Sequence, residues 1–185
     1  MSQLSSVLAS PSLETLRRIP ILQCLTDEER RQVADTGHLE QVAAGTDILR
    51  QGATCQNLWI VLDGECDVVK QVTNGGVPHE VVLATLKPYD NFGEMSFFQA
   101  APHSAAVRAR GPVKLLRLAR SDYDRLVEDR APAAFKLAYS TVQSLADRLR
   151  RMDDWVADLV SQSKANKPPG EWLHFREQLL KQWNL

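Results

Sequence analysis

The stretch Asn91-Phe-Gly-Glu-Met-Ser-Phe-Phe-Gln-Ala-Ala-Pro-His-Ser-Ala-Ala-Val107 decides the reading of this chain. Its order predicts a short loop, one helical turn and a return to strand. Gly93 lets the backbone approach a ligand closely. The amides that follow, over Glu94, Met95 and Ser96, can face an anion from the start of the turn. Glu94 adds a carboxylate able to accept hydrogen bonds from sugar hydroxyls, and Ser104 a hydroxyl able to donate to a phosphate oxygen. Glu94 also has a structural alternative, as a cap of the turn or an ion-pair partner. Ser104 has one too, as a small residue entering a crowded strand.

Working outward, the flanking sequence is strand-like. Gly45, Gly52 and Gly64 punctuate short β-rich runs, and residues 58–62, Leu-Trp-Ile-Val-Leu, read as a buried strand. Asn74-Gly75-Gly76 marks a hairpin between residues 67–72 and 80–86. Residues 107–110 and 113–118 continue the pattern. Several short strands at regular spacing predict a barrel or jelly roll. Ahead of them, a short helix is expected near residues 12–18. Thr26-Asp-Glu-Glu29 has the form of a capping box and predicts a helix ending at Gly37. Beyond the strands, Ser121-Asp-Tyr-Asp124 opens another helix. Pro132 suits the first turn of a long one, running to about Val160.

Together these features resemble the cyclic nucleotide-binding domain family. The quoted stretch is similar to its phosphate-binding cassette, and Gly45, Gly52, Trp59, Ile60, Gly64 and Val68 fit its glycine-gated strands. The resemblance implies an α+β fold, mainly β: a double-stranded β-helix, or jelly roll, with N-terminal helices, a long C-terminal dimer helix and a short terminal helix. The implied organisation is a flexible N-terminus (1–11), a domain over 12–160 with its β-roll at 39–119 and hinge and long helices at 121–160, then a linker and Trp-rich helix (161–185). The implied ligand-binding set is Phe92, Gly93, Glu94, Met95, Ser96, His103, Ser104 and Ala105, with Glu94 on the ribose 2′-hydroxyl. From the long helix, Met152 and Asp153 join it near the base. His103 stands where the family carries an arginine that holds the cyclic phosphate. A histidine has fewer donors and is only partly charged near neutrality, so the expected binding is weaker and strengthens as pH falls.

The long segment carries a second signal. Phe135, Ala138, Val142, Leu145, Leu149, Met152, Val156 and Leu159 alternate at spacings of three and four, which predicts a helical seam between two copies. The alternative is a single amphipathic helix on its own β-roll. Asp153 beside Arg150 and Arg151 keeps a cyclic di-GMP reading open against a charged solvated face. After the breaker Lys167-Pro-Pro-Gly170, Trp172, Phe175, Leu179 and Trp183 share one helical face, read as a stripe that docks within the same dimer or on an effector protein.

The chain has 185 residues and a formal net charge of −1, so no bulk field draws it to nucleic acid or an anionic membrane. The segment after the long helix is too short for a helix-turn-helix module, so DNA binding is not expected. No apolar run is long enough to span a bilayer, and residues 1–10 lack a charged region followed by an apolar core, so no secretion signal is expected. Cys24, Cys55 and Cys66 lack metal-site spacing and read as separate reduced thiols, in keeping with a cytoplasmic protein. No cofactor, metal set or catalytic constellation emerges. The expectation is a non-enzymatic sensor of cAMP or cGMP that signals to a partner protein. Its alternatives are a cyclic di-GMP effector and a dimeric scaffold whose pocket is degenerate.

Overall fold

The computed structural model describes residues 10–164. The first nine residues and the Trp-rich segment from 165 onward, with its predicted docking stripe, lie outside the described residues. The described chain divides into two units at Thr141 and Val142.

The first unit is built on eight antiparallel strands in two four-stranded sheets. One has the order β1 (His38–Val42), β8 (Val113–Ala119), β3 (Asn57–Asp63), β6 (Asn91–Phe92). The other runs β2 (Asp47–Leu49), β7 (Ala106–Ala109), β4 (Cys66–Asn74), β5 (Val77–Leu86). This is the predicted jelly roll. Alternate residues of a strand face opposite sides, and β3 shows why residues 58–62 are apolar throughout. Trp59 and Val61 enter the space between the sheets, with Leu49, Cys66, Phe92, Val107 and Leu115. Leu58 and Ile60 face the other way, into a second cluster formed with the helices. A strand covered on both faces has no need of polar alternation.

The helices of that second cluster are α1 (Leu13–Arg17), α2 (Asp27–Thr36), α3 (Glu94–Phe98), α4 (Arg120–Glu128) and the first turns of α5 (Pro132–Lys164). Ser12 caps α1, and Thr26 and Glu29 form the full capping box of α2. Gly75 and Gly76 make the hairpin turn at positive φ, and β4 and β5 extend to it on both sides. One local expectation fails. Ser121 does not cap α4, which begins at Arg120 with Ala119 as its N-cap residue and no side-chain cap. The helix continues directly from β8 because the Arg120 amide donates to Gln56 O at 2.9 Å and its guanidinium bonds Asp124 at 2.7 Å. Those contacts fix the first turn one residue earlier.

The second unit contains the remainder of α5. Val142, Leu149, Met152 and Trp155 are exposed along it. Within it, Arg150 pairs with Asp147 at 2.6 Å, and Arg151 donates to the Asp147 carbonyl. No helix among the described residues is long and apolar enough to cross a membrane.

Candidate functional site

The cassette begins at a backbone position that only glycine fills. Gly93 has φ +84 and is the N-cap residue of α3. A Cβ there would lie 2.6 Å from Asn57 O and 2.9 Å from Trp59 Cε3. Left-handed conformation and close packing therefore make the same demand. With no side-chain cap at Gly93, helix geometry turns the first-turn amides of α3, such as those of Met95 and Ser96, outward from the start of the helix. The other end of the turn is tied down. Gln56 Nε2 donates to Phe97 O at 3.2 Å, and Arg120 Nη1 donates to Phe97 O at 3.0 Å and Phe98 O at 3.4 Å.

The aromatic residues of the cassette join it to its surroundings. Phe92 stacks on Trp59 at a centroid distance of 5.4 Å. Phe97 is fully buried and meets Phe98 and Tyr123 edge to face. Tyr123, on α4, donates from its hydroxyl to Ala134 O on α5 at 3.2 Å. Burial raises the pKa of that phenol, which keeps it a donor. The path from cassette to hinge helix to long helix is thus continuous within the first unit.

The polar side chains of the cassette are mostly internal. Glu94 is buried, and Asn91 Nδ2 donates to its Oε2 at 3.4 Å. Ser96 is buried, with its Oγ 3.0 Å from His103 Nδ1. The other nitrogen of that ring, Nε2, lies 3.0 Å from Cys55 Sγ. His103 is itself buried, and burial holds its pKa below the usual histidine value. Its backbone is clamped as well: its amide donates to Ala53 O, and its carbonyl accepts from the Gly52 amide, each at 2.9 Å. The residue expected to face a phosphate thus uses both ring nitrogens inside the protein. Burial favours this neutral, bonded ring.

Phe92, Gly93, Glu94, Met95, Ser96, His103, Ser104 and Ala105 all belong to this one corner of the first unit. Met95 (64 % exposed) and Ser104 face solvent, and Ala105 is half-buried. Met152 and Asp153 are exposed on the part of α5 in the second unit. Arg108 and Arg110 are committed to ion pairs, the first with Asp47 and Glu80, the second with Glu65 and Asp67. Three neighbours of the site were not anticipated as such. From the sequence, Cys55 reads only as an isolated thiol and Trp59 only as part of a buried strand. Asn91 stood at the edge of the quoted stretch without a role. Trp59 matters further because its indole N–H is buried without an acceptor among the described residues. Only the juxtaposition of Gly93 with Trp59, and of His103 with Cys55, brings Trp59 and Cys55 in. Neither is a sequence-local signal.

Comparison with known proteins follows the same outline. Residues 39–130 match the sequence profile of the cyclic nucleotide-binding domain. The chain is 34 % identical over 119 residues to isozyme 1 of the cGMP-dependent protein kinase of Drosophila melanogaster, covering 64 % of this chain and 15 % of the kinase. It is 32 % identical over 112 residues to the cAMP-dependent protein kinase regulatory subunit of Yarrowia lipolytica, covering 60 % of this chain and 28 % of the relative. The chain therefore spans less than a third of the length of these relatives. Among solved structures, the catabolite activator protein of Thermus thermophilus superposes with a TM-score of 0.66 at 32 % identity, covering 77 % of this chain and 63 % of that one.

Proposed function

Because residues 39–130 belong to the cyclic nucleotide-binding domain family, we propose that the chain is a non-enzymatic sensor of cAMP or cGMP that signals to a partner protein. The observation that carries this reading is the left-handed Gly93 at the head of α3, which leaves the first-turn amides without a side-chain cap. Those amides, with the exposed Ser104, would receive the cyclic phosphate. Glu94, held by Asn91, would accept from the ribose. The similar proteins include one named for cGMP and one named for cAMP, so both nucleotides belong in the proposal. Asp153→Ala tests the sequence expectation for Met152 and Asp153, which a changed preference between the two nucleotides would support.

Signal passage would use the bonds already described. A change at α3 reaches Arg120 through the Phe97 and Phe98 carbonyls and Tyr123 through the Phe97 ring. Tyr123 hands it to α5 at Ala134. The outward residues of α5, Phe135, Val142, Leu149 and Met152, are exposed and would pair with a second copy of the helix.

A second reading, a scaffold whose pocket has lost its nucleotide, is favoured by one observation: both His103 nitrogens are used internally. Without a guanidinium the phosphate loses a charged bidentate contact, which corresponds to about ten- to a hundredfold in affinity. Isothermal titration of the full chain with cAMP, cGMP and cyclic di-GMP decides. Saturable heat with either mononucleotide supports the sensor. Heat with cyclic di-GMP alone moves the ligand class, and silence with all three establishes the scaffold.

A further inference from the structure

Three polar side chains from separate parts of the chain meet beside the cassette. Cys55 lies just before β3, Ser96 in α3, and His103 before β7. His103 sits between the other two, 3.0 Å from Cys55 Sγ through Nε2 and 3.0 Å from Ser96 Oγ through Nδ1. A proton on Nδ1, donated to the serine oxygen, leaves the Nε2 lone pair aimed at the thiol. We propose that Cys55, His103 and Ser96 form a modification site, at which His103 takes the thiol proton of Cys55 and the sulfur reacts with hydroperoxides. This goes beyond nucleotide sensing and does not depend on it.

The arrangement has what an activated thiol needs. A thiolate, not a thiol, is the nucleophile, and a positioned imidazole is the usual means of producing one. Burial keeps His103 neutral near physiological pH, so its lone pair is available. The distance is held by the backbone rather than left to a rotamer. The His103 amide and carbonyl bond Ala53 and Gly52, two and three residues ahead of Cys55. Access is provided too: Cys55 is half-buried, and residues 51–54 leading to it are exposed. The other two thiols are placed differently. Cys66 is fully buried, and burial with the charge of Asp67 pushes it up to about 11. Cys24 is exposed at the surface.

The chemistry closes without a further reactant. The thiol proton passes to His103 Nε2, and the sulfur attacks the terminal oxygen of the hydroperoxide. The O–O bond breaks as the S–O bond forms, and the leaving alkoxide, or hydroxide from hydrogen peroxide, takes the proton back from Nε2. Sulfur is oxidised by two electrons to a sulfenic acid, and the peroxide is reduced to an alcohol or water. The new oxygen occupies the space between Sγ and the imidazole. The Cys55–His103 contact, which joins the strand entry to the cassette, cannot persist unchanged.

The test uses the full chain without nucleotide, treated with hydrogen peroxide near neutral pH and trapped with dimedone, with each cysteine followed by peptide mass spectrometry. Parallel samples receive iodoacetamide, which needs the thiolate but no oxidant. Cys55 is expected to react about tenfold or more faster than the more exposed Cys24 with both reagents. His103→Gln should bring the Cys55 rate down to that of Cys24 or below. Ser96→Ala should lower it in part and Ser96→Thr, which keeps the hydroxyl, should restore it. Cys66 reports the fold, since it is labelled only when the domain opens. Should His103→Gln expose Cys66, the wild-type ratio and the two Ser96 variants decide instead. A Cys55 that reacts no faster than Cys24 overturns the proposal, as does a folded His103→Gln protein whose Cys55 rate is unchanged.

Discussion

In the cassette, Glu94, Ser96 and His103 are polar and buried. Along the outward side of α5, Phe135, Val142, Leu149 and Met152 are apolar and exposed, Phe135 to 75 %. Buried polar groups persist when bonded, and here the bonds are visible: Asn91 to Glu94, Ser96 to His103, His103 to Cys55. Exposed apolar residues in series are the mark of an interaction surface. The cassette corner is thus completed by its own chain, whereas the stripe on α5 is the basis for proposing a second helix. An expected phosphate ligand can be drawn into such a self-completed corner, which is what happens to His103.

The largest effects should come from breaking the cassette's attachment. Phe97, on α3, is fully buried against Tyr123. Phe97→Ala is expected to cost about 3–5 kcal/mol in urea denaturation. A loss below about 1 kcal/mol would mean that the corner relaxes independently of α4, against the coupling path proposed here. Next is Gly93→Ala, which meets Asn57 O and the Trp59 ring at positive φ. Strain and overpacking together predict a loss of about 2–4 kcal/mol. A thermal melt like that of the unmodified chain would show that the turn is not built as described.

The fold was legible because its signals are local. The Thr26 capping box, the Gly75-Gly76 turn, Pro132 at the head of α5 and the apolar run of β3 each state their structure within a few residues. Ser121 misled because its Ser-x-x-Asp pattern is the same whether the helix starts there or one residue earlier. The choice is made by Arg120, through contacts with Gln56 and Phe97 that are distant in sequence. The site was half legible. The turn at Gly93 follows from local context, but the orientation of His103 depends on Cys55, forty-eight residues away. A side chain's choice between facing a ligand and facing the protein is decided by packing, and no spacing rule in the sequence records it.

The other side of the comparison is tested on α5. Leu149 is exposed, so Leu149→Glu should leave the melting of an isolated chain nearly unchanged. A charge forced into a helix–helix seam should weaken self-association by about a hundredfold, ~3 kcal/mol. Sedimentation equilibrium over a concentration series reads both species. A wild-type chain that remains monomeric at micromolar concentration would count against the proposed seam, because the stripe would then be exposed without a second copy to cover it.

The smallest expected effect is the most specific to the cassette. Burial lowers the His103 pKa from its ordinary 6.5, so the folded protein prefers the neutral ring. Above that value both folded and unfolded chains carry it neutral, and stability owes nothing to its titration. As pH falls below about 6.5, the unfolded chain takes up the proton first. Stability therefore declines with acidification until the folded ring is also protonated. His103→Gln should remove this step from a plot of unfolding free energy against pH, whatever its effect on overall stability. Glu29 makes a separate acid loss. Its pKa is depressed from 4.5, first by the hydrogen bond from Lys136, so the stability it adds is present above that value and is lost as pH falls through the depressed one. The two windows are distinguishable, and Glu29→Gln serves as the control that leaves the histidine step in place. The same protonation costs His103 its role as acceptor toward Cys55, so nucleotide affinity and Cys55 labelling should both be followed across this range. An affinity that rises on acidification, while stability stays flat just below pH 6.5 and above the Glu29 window, would place the ring outward toward the phosphate and not inward toward Cys55 and Ser96.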